Sequence, residues 1–255
     1  MARPLAISRH EEILRRIGAE GVAGVAELAA ALGVSQETVR RDLKALAARG
    51  LLDVVHGGAA RRQSFEPALA EREQENAAGK AAIGRAAVAL VPDGSVLLLD
   101  SGTTTLALAR ALGARRGLTV CTNSLAAALH LVRHTNHAVH MLGGEVDRGE
   151  EATAGVDMLA AIGRFRVDLA FIGAGGLTPD GEITDYSRAG AEQRRRMIEA
   201  AARAWVLLDR TKFGLLTPVR LDTGGHPVGL VVDAEPPPAT RRALARRGIE
   251  LVVAG

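Results

Sequence analysis

Two groups of residues in this chain are of types, and at spacings, that could do chemistry. The first is Ser35, Gln36, Thr38, Arg40, Arg41 and Lys44, which a single helix would carry on its polar faces. Arginine can bond guanine through paired hydrogen bonds, glutamine can read adenine, and lysine and hydroxyl groups suit phosphate oxygens. A free amide and hydroxyl at Ser35, where the helix would begin, suit one phosphate more. The chemistry is recognition of duplex DNA. The plainer reading is a solvated face of a small bundle, with Arg40 paired to Glu37. The second group is Asp100-Ser101-Gly102-Thr103-Thr104-Thr105, between an apolar run and a helical stretch. Gly102 allows close backbone approach, and the amides and hydroxyls of Ser101 to Thr105 can hold a phosphate at a helix N-terminus. No Gly-Lys-Ser/Thr follows, so this is not a Walker A loop.

Similar loops recur downstream. Thr122-Asn123-Ser124, Gly143-Gly144 and Gly173-Ala174-Gly175-Gly176 each follow a further apolar run. Polar and Gly-rich loops after consecutive strands predict a shared pocket at one end of a sheet. The Gly173 stretch has the wrong spacing for a dinucleotide fingerprint. Glu192 and Lys212 add an acid and an ammonium. With Asp100 they could bind a sugar phosphate or move a proton. Alternatively, Glu192 is one surface charge beside Arg194, Arg195 and Arg196, and Lys212 a solvated loop cation. His56, before Gly57-Gly58, could touch DNA backbone or minor groove, or simply precede a hairpin turn.

These groups need elements to position them. The spacing predicts a helix over 8–20 with Ile13, Leu14 and Ile17 inward, and with Ser8 as N-cap and Glu11 completing a capping box. A second helix is predicted over 25–32, Gly33 supplies a turn, and Ser35 caps a third helix running to Arg49 with Val39, Leu43 and Leu46 inward. Gly21 and Gly50 end helices. Residues 51–59 read as a small β-wing, and Arg61 to about Glu75, with Pro67, as a linker. Strands are expected at Ser95–Asp100, Leu118–Thr122, Ala138–Leu142, Asp168–Ala174, Ala204–Asp209, Val228–Asp233 and Glu250–Val253, with helices between most of them. Continuous apolar strands alternating with helices predict an α/β fold with a mostly parallel sheet covered on both faces.

Composition narrows the function classes. Hydrophobic residues make up 47% of 255, enough for a real core, yet only six residues are aromatic (four Phe, Trp205 and Tyr186). Base stacking on an aromatic platform, the usual device for single strands, is therefore not expected. A net charge of +3 argues against general polyanion coating but permits a local basic face. Cys121 is the one cysteine, so no internal disulfide forms, and no metal-spaced cluster or cofactor motif is read. The opening Met-Ala-Arg-Pro leads into a charged helix, and no run approaches a membrane span, so the chain reads as cytoplasmic with no membrane partner. Of 32 basic residues only Lys44, Lys80 and Lys212 are lysine. In an Arg-biased chain, a lysine can mark a place where a compact ammonium is needed.

From end to end the sequence resembles the DeoR family of bacterial transcriptional regulators. The resemblance rests on Glu12-Ile13-Leu14, Glu27-Leu28-Ala29, Gly33-Val34-Ser35, Thr38-Val39-Arg40-Arg41-Asp42-Leu43 and Val55-His56-Gly57-Gly58-Ala59. Further along it rests on Asp100 to Thr105, Thr122 to Leu125, Gly143-Gly144, Asp168 to Ala174 and Leu208-Asp209-Arg210-Thr211-Lys212-Phe213-Gly214. It implies a winged helix-turn-helix over 1–58, a linker over 59–77 and a Rossmann-like sensor domain over 78–255, related to ribose-5-phosphate isomerase. It also implies that Asp100, Gly102, Thr103, Thr104, Asn123, Gly173, Gly175, Glu192 and Lys212 line an effector pocket. Three positions depart from the family: Gly79 stands where Glu is frequent, Arg194 where Lys is frequent, and Asp53-Val54 lacks a basic residue before the wing turn. The expected function is a sugar-phosphate-responsive repressor of a carbohydrate operon, non-enzymatic, acting on double-stranded operator DNA as a homodimer or higher oligomer. The alternative is a sugar-phosphate isomerase-like enzyme with an appended DNA-binding domain, using Glu192 as base.

Overall fold

The computed structural model describes residues 6–20, 22–48, 51–55, 57–60 and 66–255. His56, the expected helix stops Gly21 and Gly50, the helix end at Arg49 and residues 61–65 of the expected linker lie outside the described residues.

The N-terminal part contains α1 (Ala6–Glu20), β1 (Val22–Gly24), α2 (Val25–Leu32), α3 (Gln36–Ala48), β2 (Asp53–Val55) and β3 (Gly58–Ala60). Its core is the inward stripe of each helix: Ile13 and Ile17 from α1, Leu28 and Leu32 from α2, and Val39, Leu43 and Leu46 from α3. Gly33 turns the chain between α2 and α3 with φ of 62°, a conformation that costs glycine nothing. Ser35 caps α3 by accepting a hydrogen bond from the Thr38 amide at 3.2 Å. The wing strands form an antiparallel sheet in the order β1-β3-β2. Three-residue β1 has no periodicity to read, which is why the sequence gives no sign of it.

Ser8 does not cap α1, because the helix is already wound from Ala6. The reason lies one residue on: Arg9 is buried and donates two hydrogen bonds to Asp42 of α3, at 2.7 and 2.9 Å. A helical turn before Arg9 fixes that aim. His10 reaches the same carboxylate at 3.2 Å. Burial pushes the Asp42 carboxyl up, but the hydrogen bonds from Arg9 and His10 outweigh it and hold the group below its ordinary range. This ion pair fixes α3 against α1.

The remainder carries α4 (Leu69–Gln74), α5 (Ala77–Val88), β4 (Val96–Leu99), α6 (Thr103–Ala111), β5 (Thr119–Thr122), α7 (Leu125–His134) and β6 (Ala138–Met141). It continues with β7 (Glu145–Asp147), β8 (Ala152–Ala154), α8 (Val156–Ile162), β9 (Val167–Ile172), β10 (Gly176–Leu177), β11 (Ile183–Asp185), α9 (Arg188–Ala200) and β12 (Ala201–Leu207). The last elements are β13 (Val219–Arg220), β14 (Val228–Val232), α10 (Pro238–Arg246) and β15 (Glu250–Val253). Seven strands form one sheet in the order β15-β14-β12-β9-β4-β5-β6. Every neighbouring pair in it is parallel. All seven expected strands are present.

Alternate residues of each strand feed two separate cores. Leu97, Leu99, Val120, Phe171 and Trp205 pack under α5, α6 and α7. Leu98, Cys121, Ala170, Ile172 and Val206 pack under α8, α9 and α10. That two-sided burial explains the continuous apolar runs. In chain order the sheet starts at its middle with β4, runs outward to β6, then returns to β9 on the other side of β4. The order reverses between β4 and β9, and the carboxyl ends of those two strands open onto a crevice.

Candidate functional site

The α3 surface is built by its own periodicity. With Val39, Asp42, Leu43 and Leu46 turned inward, Ser35, Gln36, Arg40, Arg41 and Lys44 are exposed and Thr38 is half-buried. Thirteen residues give a rod of roughly 20 Å, of a kind the DNA major groove admits. The Ser35 and Thr38 hydroxyls hydrogen-bond each other at 2.9 Å. Arg40 donates to Gln36 at 3.3 Å and lies 3.6 Å from Glu37. Arg41 and Lys44 are exposed and hydrogen-bond to no described residue.

At the switch point the site is a two-lobed cavity. The smaller lobe, about 30 Å³, is lined by Ser101, Gly102, Thr103, Thr104, Thr105, Gly173, Lys80, Arg194 and Lys212, with Glu66 and Arg72 closing it. The larger, about 200 Å³, contains Ser101, Asn123, Glu150, Thr153, Asp185, Glu192, Gln193 and Arg194, and shares Glu66 with the first. Gly102 begins α6 with φ of 125°, where a side chain would be strained. The first intrahelical bond runs from the Leu106 amide to the Gly102 carbonyl at 3.0 Å. The amides of Thr103, Thr104 and Thr105 therefore have no acceptor within the helix. The Thr105 hydroxyl is committed, donating to the Gly102 carbonyl at 2.9 Å.

Two of the chain's three lysines meet here. Lys80 is buried and donates to the carbonyls of Arg72 and Glu75, with Asp209 at 4.0 Å. Lys212 hydrogen-bonds to no described residue, and burial pushes its ammonium down from the usual lysine range. Asn123 donates to the Thr153 carbonyl at 3.2 Å, while its own side-chain oxygen is buried without a donor. A buried orphan acceptor costs stability until a ligand hydroxyl or water supplies a proton.

Two expected pocket residues, Asp100 and Gly175, sit elsewhere, and a third, Glu192, lines the larger lobe with its carboxylate already engaged. Asp100 is fully buried behind the cavity wall and lines neither lobe. It accepts from the Gly173 amide at 3.1 Å, from Gln193 at 2.7 Å and from Arg194 Nε at 2.8 Å. Both oxygens already accept hydrogen bonds and the side chain is fully buried, so it positions Arg194 rather than reaching a ligand. Gly175 lines neither lobe; a Cβ there would lie 3.1 Å from the Thr184 carbonyl and 3.0 Å from the Thr217 hydroxyl, so its job is close strand packing. Glu192 lies at the rim, and its carboxylate accepts from Arg195 and Arg196. Those hydrogen bonds draw its carboxyl down to about 2.

Arg194, Arg72, Glu66 and Lys80 are among the lining residues that the motif reading passed over, with Glu150, Thr153, Asp185 and Gln193. Arg194 bridges Asp100 and Asp185, all three side chains buried. The Gly79 departure has a steric cause: a Cβ there would lie 2.2 Å from an Asp233 carboxylate oxygen and 2.5 Å from the Asn76 amide nitrogen. A side chain there would require Asp233 and Asn76 to shift.

Comparison with known families follows the same division. The family model of the DeoR-like helix-turn-helix domain matches residues 9–65, and that of the DeoR C terminal sensor domain matches residues 75–234. The chain belongs to the DeoR family. Among DeoR-family relatives, the HTH-type transcriptional repressor CsqR of Escherichia coli is 30% identical over 96% of this chain and 94% of its own. The glycerol-3-phosphate regulon repressor of Haemophilus influenzae is 33% identical over 88% of this chain and 91% of its own. The Escherichia coli repressor of the same name is 30% identical over 95% and 97%. Ribose 5-phosphate isomerase A from Methanocaldococcus jannaschii aligns with 55% of this chain and 55% of its own, at 21% identity and a TM-score of 0.40. At that score the likeness bears on neither activity nor site. As a DeoR-family member the chain is a DNA-binding transcriptional regulator with a C-terminal sensor domain. No described helix is long and apolar enough to cross a membrane.

Proposed function

We propose that this chain represses a carbohydrate operon, gripping operator DNA through the Ser35-to-Lys44 face of α3 and releasing it when a phosphorylated sugar occupies the cavity. The domains would be 1–58 and 78–255, joined through 59–77. The observation that carries the effector assignment is that Lys212, Lys80 and Arg194 line one small cavity with Thr103, Thr104 and Thr105, whose amides have no acceptor within α6. Cations and free amides at one helix N-terminus suit a phosphate, and the orphan oxygen of Asn123 in the adjoining lobe suits a sugar hydroxyl. The glycerol-3-phosphate regulon repressors among the relatives are consistent with this chemistry. Glu192, the base an isomerase would use, has its carboxylate engaged by two arginines that draw its pKa down to about 2, which makes it a poor proton acceptor and weighs against turnover.

A thermal-shift screen of sugar phosphates tests the reading. A hit at a hundredfold excess over its Kd stabilises the fold by roughly 2.7 kcal/mol, and Lys212→Ala is expected to erase that shift while leaving the ligand-free melt nearly unchanged. An anion beside Lys212 favours its charged form, so binding takes up a proton and weakens as pH rises toward the lysine's depressed range. If no phosphorylated sugar stabilises the protein, the effector assignment fails and the DNA assignment stands.

We also infer a two-fold pair of chains, joined through α7. Leu125, Leu129 and Val132 lie at i, i+4 and i+7 and are all exposed, on the side opposite buried Ala127 and Leu131. Glu151, exposed, has its carbonyl bonded to the Leu125 amide at the start of that stripe, and Arg133 and His134 stand at its end. Two copies of α7 packed antiparallel would set each Arg133 against the other chain's Glu151, covering the apolar stripe between them. Sedimentation tests this by charge exchange. Arg133→Glu alone should raise the dimer Kd about tenfold or more. Adding Glu151→Arg to the same chain should restore pairing. An unchanged dimer in Arg133→Glu and in Leu129→Asp would rule the surface out.

A further inference from the structure

The cavity is closed by a piece of the chain that belongs to neither the sheet nor its covering helices. Glu66 lies just before α4, in the stretch that comes up from the wing. Its carboxylate sits 2.8 Å from Arg72 Nη1 and shares the wall of both lobes with Ser101 and Arg194. Arg72, buried on α4, also pairs with Glu150 and donates to the Pro67 carbonyl at 2.8 Å. The other walls are fixed. Lys80 is on α5, Ser101 to Thr105 open α6, Gly173 follows β9, Arg194 is on α9 and Lys212 follows β12.

We propose that Glu66 is an internal competitor for the anion this cavity takes: the carboxylate occupies the cationic wall in the empty protein, and an incoming phosphate displaces it. This rests on the reading of the cavity as an anion site. The smaller lobe, about 30 Å³, has room for a water or two and no more. A phosphate must move a wall to enter, and Glu66, an anion outside any helix or strand that faces Arg72 at 2.8 Å, is the wall an incoming anion can replace. Two anions beside Arg72 and Arg194 repel each other, so the phosphate and the Glu66 carboxylate exclude one another. Burial already pushes the Glu66 carboxyl up, with Arg72 only partly opposing it. When Glu66 leaves, Pro67, whose carbonyl accepts from Arg72, shifts with it. Occupancy of the sensor thus reaches the DNA-binding domain through one side chain, and the coupling is reciprocal.

The test uses the full-length protein, with inorganic phosphate as the titrant in calorimetry. Glu66→Gln keeps the shape and removes the charge, and is expected to bind phosphate about tenfold more tightly than the native chain. Glu66→Asp keeps the charge and should stay close to native. The change in affinity for the gene's own upstream DNA on adding phosphate should shrink in Glu66→Gln and persist in Glu66→Asp. Phosphate binding that is lost in Lys212→Ala but equal in native and Glu66→Gln proteins overturns the competition alone. Absence of binding in both proteins, or binding that survives Lys212→Ala, overturns the anion site and the competition together.

Discussion

Arg194→Met is expected to lower the stability of the sensor domain by about 3–5 kcal/mol, the usual consequence of removing one member of a buried ion network. Arg194 is the shared cation of Asp100 and Asp185, with side chains 9%, 0% and 2% exposed. Methionine fills much the same space, so the loss is electrostatic rather than a cavity. Two carboxylates would remain in the interior with no counter-charge. For a domain of this size the midpoint of thermal unfolding should fall by roughly 10 °C. Arg194→Lys should fall between, because one ammonium cannot reproduce a planar fork that reaches two carboxylates at once. Adding Asp100→Asn to Arg194→Met should recover part of the loss, since it removes one stranded charge, and the pair should be strongly non-additive. Calorimetric melts of the native protein, the two Arg194 variants, Asp100→Asn alone and the double variant decide it. A loss under about 1 kcal/mol in Arg194→Met would show that the network carries little of the stability.

The same network shows where the sequence was legible and where it was not. The seven strands were readable because a strand buried on both faces cannot hide its run of Leu, Val and Ile; Ala-rich β12 was still caught through Trp205 to Leu207, though it begins three residues earlier than expected. The position of the crevice was readable because polar and Gly-rich loops ended several strands together. The expectation of Asp100 in the pocket fails because a sequence shows that a polar group ends a strand, not that it is buried on three internal donors. Arg194 was hidden in the run Arg194-Arg195-Arg196. A signal existed: Ala191, Arg194 and Ile198 fall on one helical stripe and are all buried. At 100° per residue, only one of three consecutive arginines can point inward. The rarity of lysine did mark the site, since Lys80 and Lys212 both line the smaller lobe and Lys44 stands on the α3 face. Glu66 had no local signal at all. Its partners in the cavity wall are brought together by the sheet, and no spacing near Pro67 anticipates them.

Replacing Arg40 and Arg41 together by alanine is expected to weaken operator binding by a factor of about a thousand or more. Each side chain that reaches a base edge or a phosphate is worth roughly 1–3 kcal/mol, and a two-fold pair of chains loses each contact twice. The fold should survive. Both arginines are exposed, and neither belongs to the stripe of Val39, Leu43 and Leu46. Alanine also favours helix, and Asp42, which fixes α3 to Arg9, is untouched. The two positions should separate in kind. Arg41 bonds to no described residue and is free to neutralise phosphate, so Arg41→Ala should weaken binding to all sequences alike and flatten the dependence on salt by about one unit per half-site. Arg40 is held by Gln36 at 3.3 Å and by Glu37 at 3.6 Å, a geometry suited to presenting a planar fork rather than a loose charge. Arg40→Ala should therefore reduce the preference for operator over unrelated duplex while leaving the salt slope nearly as it was. Fluorescence anisotropy with operator and scrambled duplexes across a salt series measures both effects. If the double variant kept its native affinity and slope, α3 would be a solvated helix and the grip on DNA would have to come from another surface.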